Sequence, residues 1–135
     1  MHPNAVQPPA RAAWAGYALS GLATLVLLAD GAMHVLAPEK LRPLMEATGF
    51  PVELAPKLGA VILACAVLYA LPWTAFLGAI LVTGFIGGAI CTHFRLGEIG
   101  SPPQIIALAI GVVAWGGLYL RDPRLRSLLP IRPAT

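Results

Sequence analysis

The amino-acid sequence predicts an all-α membrane protein: an antiparallel four-helix transmembrane bundle with a short interfacial helix between its first and second spans. Three observations carry this. The 135 residues are 58% hydrophobic and only 11% charged, with a mean hydropathy of +0.78. A soluble domain carries about 25% charged residues, so this chain has too little polar surface to cover a globule in water. The apolar residues gather into four long runs parted by Pro-containing breaks. A lipid-exposed span of that kind must satisfy its own backbone groups, which a helix does and an open strand does not.

In chain order, Met1–Ala10 is rich in Pro and polar residues without periodicity and reads as a disordered tail. Residues 1–11 are thus expected as a tail, 12–121 as the transmembrane domain and 122–135 as a basic C-terminal tail. Arg11 before an apolar run resembles a signal peptide. The run Ala12–Ala29 exceeds the usual h-region of about 7–15 residues and lacks a small-x-small cleavage site, so it reads as a retained helix. The first span is expected over Ala12–Leu36, closed by Pro38. In the following connection Leu41, Leu44 and Met45 recur at helical spacing with charges between them. They suit a short helix in the membrane interface, stopped by Gly49, although a solvated loop fits the same residues. The second span is expected over Leu58–Leu71, with Pro72-Trp73-Thr74 as a tight break, and the third over Ala75–Phe94. Pro102-Pro103 suit a helix start, and Gln104–Leu120 forms the fourth.

The net charge of +3 and a pI near 9.2 do not read as a nucleic-acid footprint. Arg121, Arg124, Arg126 and Arg132 cluster beyond the last apolar run, where juxtamembrane basic residues belong. With four spans, they share a side with Arg11, against Lys40, Arg42, Lys57 and Arg95 on the other. This places both termini in the cytoplasm, in a bacterial inner membrane. Cys65 and Cys91 should differ in depth by roughly 9 Å, beyond the Cα separation of about 7 Å that a disulfide tolerates, so both are expected as free thiols. Small residues recur every fourth position at Ala12, Gly16 and Ser20, and at Gly84 and Gly88. Such stripes let helix backbones approach closely, within the bundle or across a homodimer. Tyr17, Tyr69, Trp14, Trp73 and Trp115 read as belt or core aromatics.

The candidate site lies where helices end in charge. Asp30 and His34 stand one turn apart at the end of the first span and share a face. An ionisable group inside a bilayer costs roughly 2.5–3.5 kcal/mol on insertion scales and marks a functional site by default. Connectivity brings the end of the third span, with Cys91, His93, Arg95 and Glu98, to the same membrane face. A carboxylate beside an imidazole can relay protons, histidines with a carboxylate can bind a divalent metal, and a polar pocket above an apolar bundle can hold a quinone head group. A structural hydrogen bond or an interfacial polar cap is the plainer reading of the same residues. No HxxxH or CxxC spacing supports a metal.

Several segments carry a family resemblance: Ala47-Thr48-Gly49-Phe50-Pro51, Leu58-Gly59-Ala60, the stretch Leu68–Leu81, Thr83–Ala89, Thr92-His93 and Trp115–Pro123. Together they resemble the DoxX-like family of small four-helix membrane proteins, most specifically over Pro72–Glu98. Asp30-Gly31 fits as well, with His34 standing where a Lys is common in the family. The resemblance implies a setting in membrane redox systems. Relatives of this type are associated with a thiosulfate:quinone oxidoreductase and with a membrane complex handling oxidative stress and thiols.

The combined expectation is an inner-membrane accessory or anchoring subunit of a redox or stress-response system, working beside oxidoreductase partner proteins. Asp30 and His34 would bind or protonate a small ligand such as a quinone, and His93 and Arg95 would hold its polar end. The alternatives are a proton-coupled small-solute transporter, or a chain that is itself a quinone-linked oxidoreductase.

Overall fold

The computed structural model describes residues 9–129; Arg132 and residues 1–8 of the expected tail lie outside them, while Ala10 and Arg11, expected in that tail, already belong to the first helix. Four long apolar helices form the body: α1 (Ala10–Leu36), α3 (Ala55–Ala70), α4 (Ala75–Arg95) and α5 (Pro102–Arg121). Short helices α2 (Pro38–Ala47) and α6 (Pro123–Leu128) follow the first and the last, and a 3-10 turn, Val52–Leu54, leads into α3. Each long helix, with that turn added to α3, is long and apolar enough to cross a membrane.

Proline sets most of the boundaries. Pro38 cannot continue α1, so Ala37 leaves helical geometry (φ −138°, ψ 52°) and α2 starts anew with Pro38 in its first turn. Pro102 and Pro103 open α5 after Ser101. The second span ends one residue short of the sequence expectation, because Leu71 is already extended before Pro72. α2 confirms the short helix, amphipathic as expected, with Met45 buried and Arg42 paired outward to Glu39 at 2.8 Å and Glu46 at 3.5 Å. The Glu39 hydrogen bond raises the already basic Arg42 guanidinium further.

The long helices run up and down in a ring. α1 packs beside α3 and α5, α4 packs beside the same two, and α1 and α4 stand diagonally opposite. The ends of α1 and α4 therefore reach the same end of the bundle from opposite corners. The core is slim and made largely of small side chains, with Ala66, Ala79 and Ala114 fully buried alongside Ile62 and Tyr69. Larger apolar residues such as Leu25, Leu77, Ile80, Ile106 and Leu108 face outward, as expected where lipid rather than water is the neighbour. A Cβ on Gly16 would stand 2.6 Å from the Arg121 amide, and one on Gly117 2.7 Å from Ser20. The Gly16–Ser20 stripe is therefore consumed inside the chain, at the α1–α5 crossing. Gly31 and Gly59 do the same for α1 and α3.

The stripe on α4 does not. A Cβ added at Gly84 or Gly88 meets nothing within 4 Å, so these glycines hold no helix close and instead leave open space. Cys65 is buried and Cys91 exposed, both free, as their depths required. The segment beginning at Asp122, expected as a tail, starts with α6. Asp122 caps it by accepting from the Arg124 amide at 2.9 Å, and Leu125 is buried in the bundle core.

Candidate functional site

At the end of the bundle away from the termini, a cleft of about 390 Å³ opens between α1, α2, α4 and the start of α5. Its walls are mostly apolar, with Met45, Phe50 and Phe85 among them, and Gly84 and Gly88 keep one side bare. Two imidazoles, His34 and His93, line it. Beyond lies a more polar hollow of about 460 Å³ that includes Glu98 and Ser101 and shares Leu44, Thr48, His93 and Pro103 with the cleft. His93 thus stands between an apolar chamber and its polar mouth.

Local folding orients both rings. His34 lies in the last turn of α1, and its Nδ1 is 2.9 Å from the carbonyl oxygen of Asp30 one turn back. A carbonyl only accepts, so Nδ1 carries the proton and Nε2 of the neutral ring is an acceptor. The Asp30 carboxylate adds an oxygen 3.4 Å from the same Nδ1. His93 is held differently. Gly97 takes left-handed backbone (φ 77°), which ends α4 in a Schellman turn: the Glu98 amide donates to the His93 carbonyl at 3.0 Å and the Gly97 amide to Phe94 at 2.9 Å. The turn folds Glu98 back over its helix, and its Oε2 lies 2.6 Å from His93 Nδ1.

The two sites share a pattern. Each histidine is 9% exposed, each carboxylate side chain is 49% exposed, and each Nδ1 is engaged. Among the described residues neither Nε2 has a hydrogen-bond partner. A buried imidazole fixed at one nitrogen and backed by a carboxylate is suited to accept or pass a proton at the other.

Of the four residues expected at the site, the structure brings His34 and His93 into one cleft. Asp30 reaches it only through His34, because its own side chain lies on the outer face of α1. Arg95 also stays outside: its Nη2 donates to the Thr48 carbonyl at 2.7 Å and clips the end of α2 to the end of α4. That clip meets a second Schellman turn, in which Gly49 (φ 79°) lets the Phe50 amide donate to Met45 and the Gly49 amide to Glu46. The Glu98 pairing is signalled in the sequence by Gly97 directly after the last basic turn of α4.

A second polar cluster, at the terminal end, escaped the sequence reading. Tyr69, fully buried, donates to the Ala114 carbonyl at 2.6 Å and lies 3.1 Å from Ser20 Oγ. Arg121 donates to the Tyr69 carbonyl at 3.1 Å and lies over the rings of Tyr17 and Tyr69. These residues come from three helices, α1, α3 and α5, so no local spacing joins them.

Compared with known proteins, residues 18–117 match the model of a family described as DoxX-like, a span that holds His34, Glu98 and every lining residue of the cleft. No curated protein and no solved structure matches the chain.

Proposed function

The chain belongs to the DoxX-like family and is a multi-pass integral membrane protein, and from that premise we propose that it is an inner-membrane accessory subunit of a redox or stress-response system that holds a quinone. The observation that carries this is the pair of buried imidazoles on one mostly apolar cleft, each fixed at Nδ1. A quinone needs such a combination: an apolar chamber for its ring and tail, and a few polar groups for its two oxygens.

Nε2 of His34 and Nε2 of His93 would hold the two hydroxyls of a bound quinol as acceptors, and each imidazole would be placed to take up a proton there. The carboxylate on the far side of each ring, Asp30 or Glu98, balances the charge that results and is half exposed, so it can hand the proton onward. Redox chemistry of such a quinol would need a partner oxidoreductase as the electron acceptor. The tail follows the bare Gly84–Gly88 face of α4. With both termini cytoplasmic, the cleft opens on the non-cytoplasmic side. Arg95 acts here as a positioning residue, through its grip on Thr48.

The test is organic extraction of the purified protein followed by quantification of quinone. Purified under reducing conditions, wild type should carry quinol near one per chain, and His34→Leu and His93→Leu should each lower retention by roughly tenfold, the worth of one good hydrogen bond. Wild-type protein that holds no quinone and takes up none when it is supplied would overturn the reading.

A further inference from the structure

The opposite end of the bundle carries a second hollow, of about 310 Å³, whose chemistry is cationic. It lies between the start of α1, the α3–α4 turn and the α5–α6 corner, with Tyr17, Trp73, Arg121, Asp122 and Arg124 in its lining. We propose that this hollow binds a phosphate group, held between the guanidinium groups of Arg121 and Arg124.

Three observations converge. First, Arg121 is oriented but incompletely used. It donates from Nη2 to the Tyr69 carbonyl and stacks over two tyrosine rings, while its Nη1 makes no hydrogen bond among the described residues. A guanidinium fixed on one side offers its remaining donors to an oxyanion, and its planar fork matches phosphate oxygens. Second, the Arg124 side chain is exposed and makes no hydrogen bond among the described residues, although its backbone is tied into the α6 cap. The neighbouring Arg126 differs, being spent on the Tyr119 and Leu120 carbonyls. Third, the acid in the lining is partly committed: one Asp122 oxygen accepts from the Arg124 amide. Two cations against one anion leave the hollow net positive.

The depth of the hollow says where the phosphate comes from. Trp73 and Tyr17 at its rim are 79% and 57% exposed, and exposed Trp and Tyr at helix ends sit at headgroup level. Basic pockets between helices at that level hold anionic lipid headgroups. A free phosphate offers the same oxygens, so the test must separate the two.

The experiment is native mass spectrometry of the full chain in detergent micelles, with phosphatidylglycerol, phosphatidylcholine or inorganic phosphate added. Wild type should retain phosphatidylglycerol at least about fivefold over phosphatidylcholine. Arg124→Gln should lose about fivefold of that retention, the worth of one basic residue near a lipid headgroup. Arg124 serves as the main probe because its side chain supports no packing, and Arg121→Lys tests the fork while keeping the charge. Arg42→Gln, the same charge change at the far end, should retain phosphatidylglycerol as wild type does. Displacement of the lipid by millimolar inorganic phosphate would support the site with a soluble phosphate as its ligand, and retention would support the lipid. Equal retention of both lipids by wild type, or full retention by Arg124→Gln, would overturn the proposal. Quinone content is read in the same spectra, so failure here and failure of the cleft are separable.

Discussion

Glu98 Oε2 meets His93 Nδ1 at 2.6 Å, and the contact exists because Gly97 between them turns the chain through left-handed backbone. The pairing is a helix-termination event before it is a functional one. The α4 helix ends, its last carbonyls are satisfied by the Gly97 and Glu98 amides, and the acid arrives over the imidazole as a consequence.

Replacing Gly97 by Ala should therefore loosen the pair without touching either member. Left-handed backbone costs an L-residue about 1–2 kcal/mol, while a Cβ there meets no neighbour, so the effect is conformational alone. The ring nitrogens of His93, followed by ¹⁵N NMR, should shift towards a mixture of tautomers. Gly97→Asn, which tolerates this backbone, should keep the wild-type spectrum.

Arg95 makes its contribution at a distance from the cleft. Removing its hydrogen bond to Thr48 by Arg95→Gln should release the end of α2, by about 1 kcal/mol. Hydrogen exchange should quicken roughly fivefold over residues 44–50, with α3 and α4 amides unchanged. Uniform acceleration through the bundle would show that the clip supports global stability instead.

Glycines that look alike in sequence should separate by experiment. Gly117→Val forces atoms into Ser20 across the α1–α5 crossing, an overpacking that costs about 1–3 kcal/mol. Gly84→Val extends into the open cleft and should leave the thermal midpoint in detergent close to that of wild type. Equal destabilisation by the two would contradict the assignment of the α4 glycines to the cleft.

Tyr69 offers a further check, on the terminal end. Tyr69→Phe removes the hydrogen bond to the Ala114 carbonyl and the contact with Ser20, and should cost about 1 kcal/mol. Ser20→Ala should add little in the Tyr69→Phe background, because residues in one hydrogen-bond network are not additive.

These contrasts also show how much could be read before the structure. Span number, the proline boundaries, the amphipathic helix after Pro38 and the free cysteines follow from hydropathy, proline chemistry and rise per residue, all local properties. The shared end of His34 and His93 follows from connectivity. What escaped depends on helix rotation and on partners distant in sequence. Gly16 and Gly84 sit in identical small-residue patterns, but the first faces α5 and the second an opening. Asp30 and His34 share a helix face by spacing, yet about 40° of residual rotation over four residues turns Asp30 outward and leaves His34 buried. The Ser20–Tyr69–Arg121 cluster joins three helices and has no signature in any one of them.

The central claim is that the cleft beside His34 and His93 holds a quinone, and α4 provides the most direct measurement. Gly88 borders the cleft, whereas the adjacent Gly87 borders a separate groove between α4 and α5, and a Cβ meets no neighbour at either position. Titration of a short-tailed quinone into purified Gly88→Leu and Gly87→Leu, read by native mass spectrometry, compares the same side chain one position apart. The account predicts that Gly87→Leu binds one quinone as wild type does and that Gly88→Leu binds none. Equal binding by the two variants would contradict it.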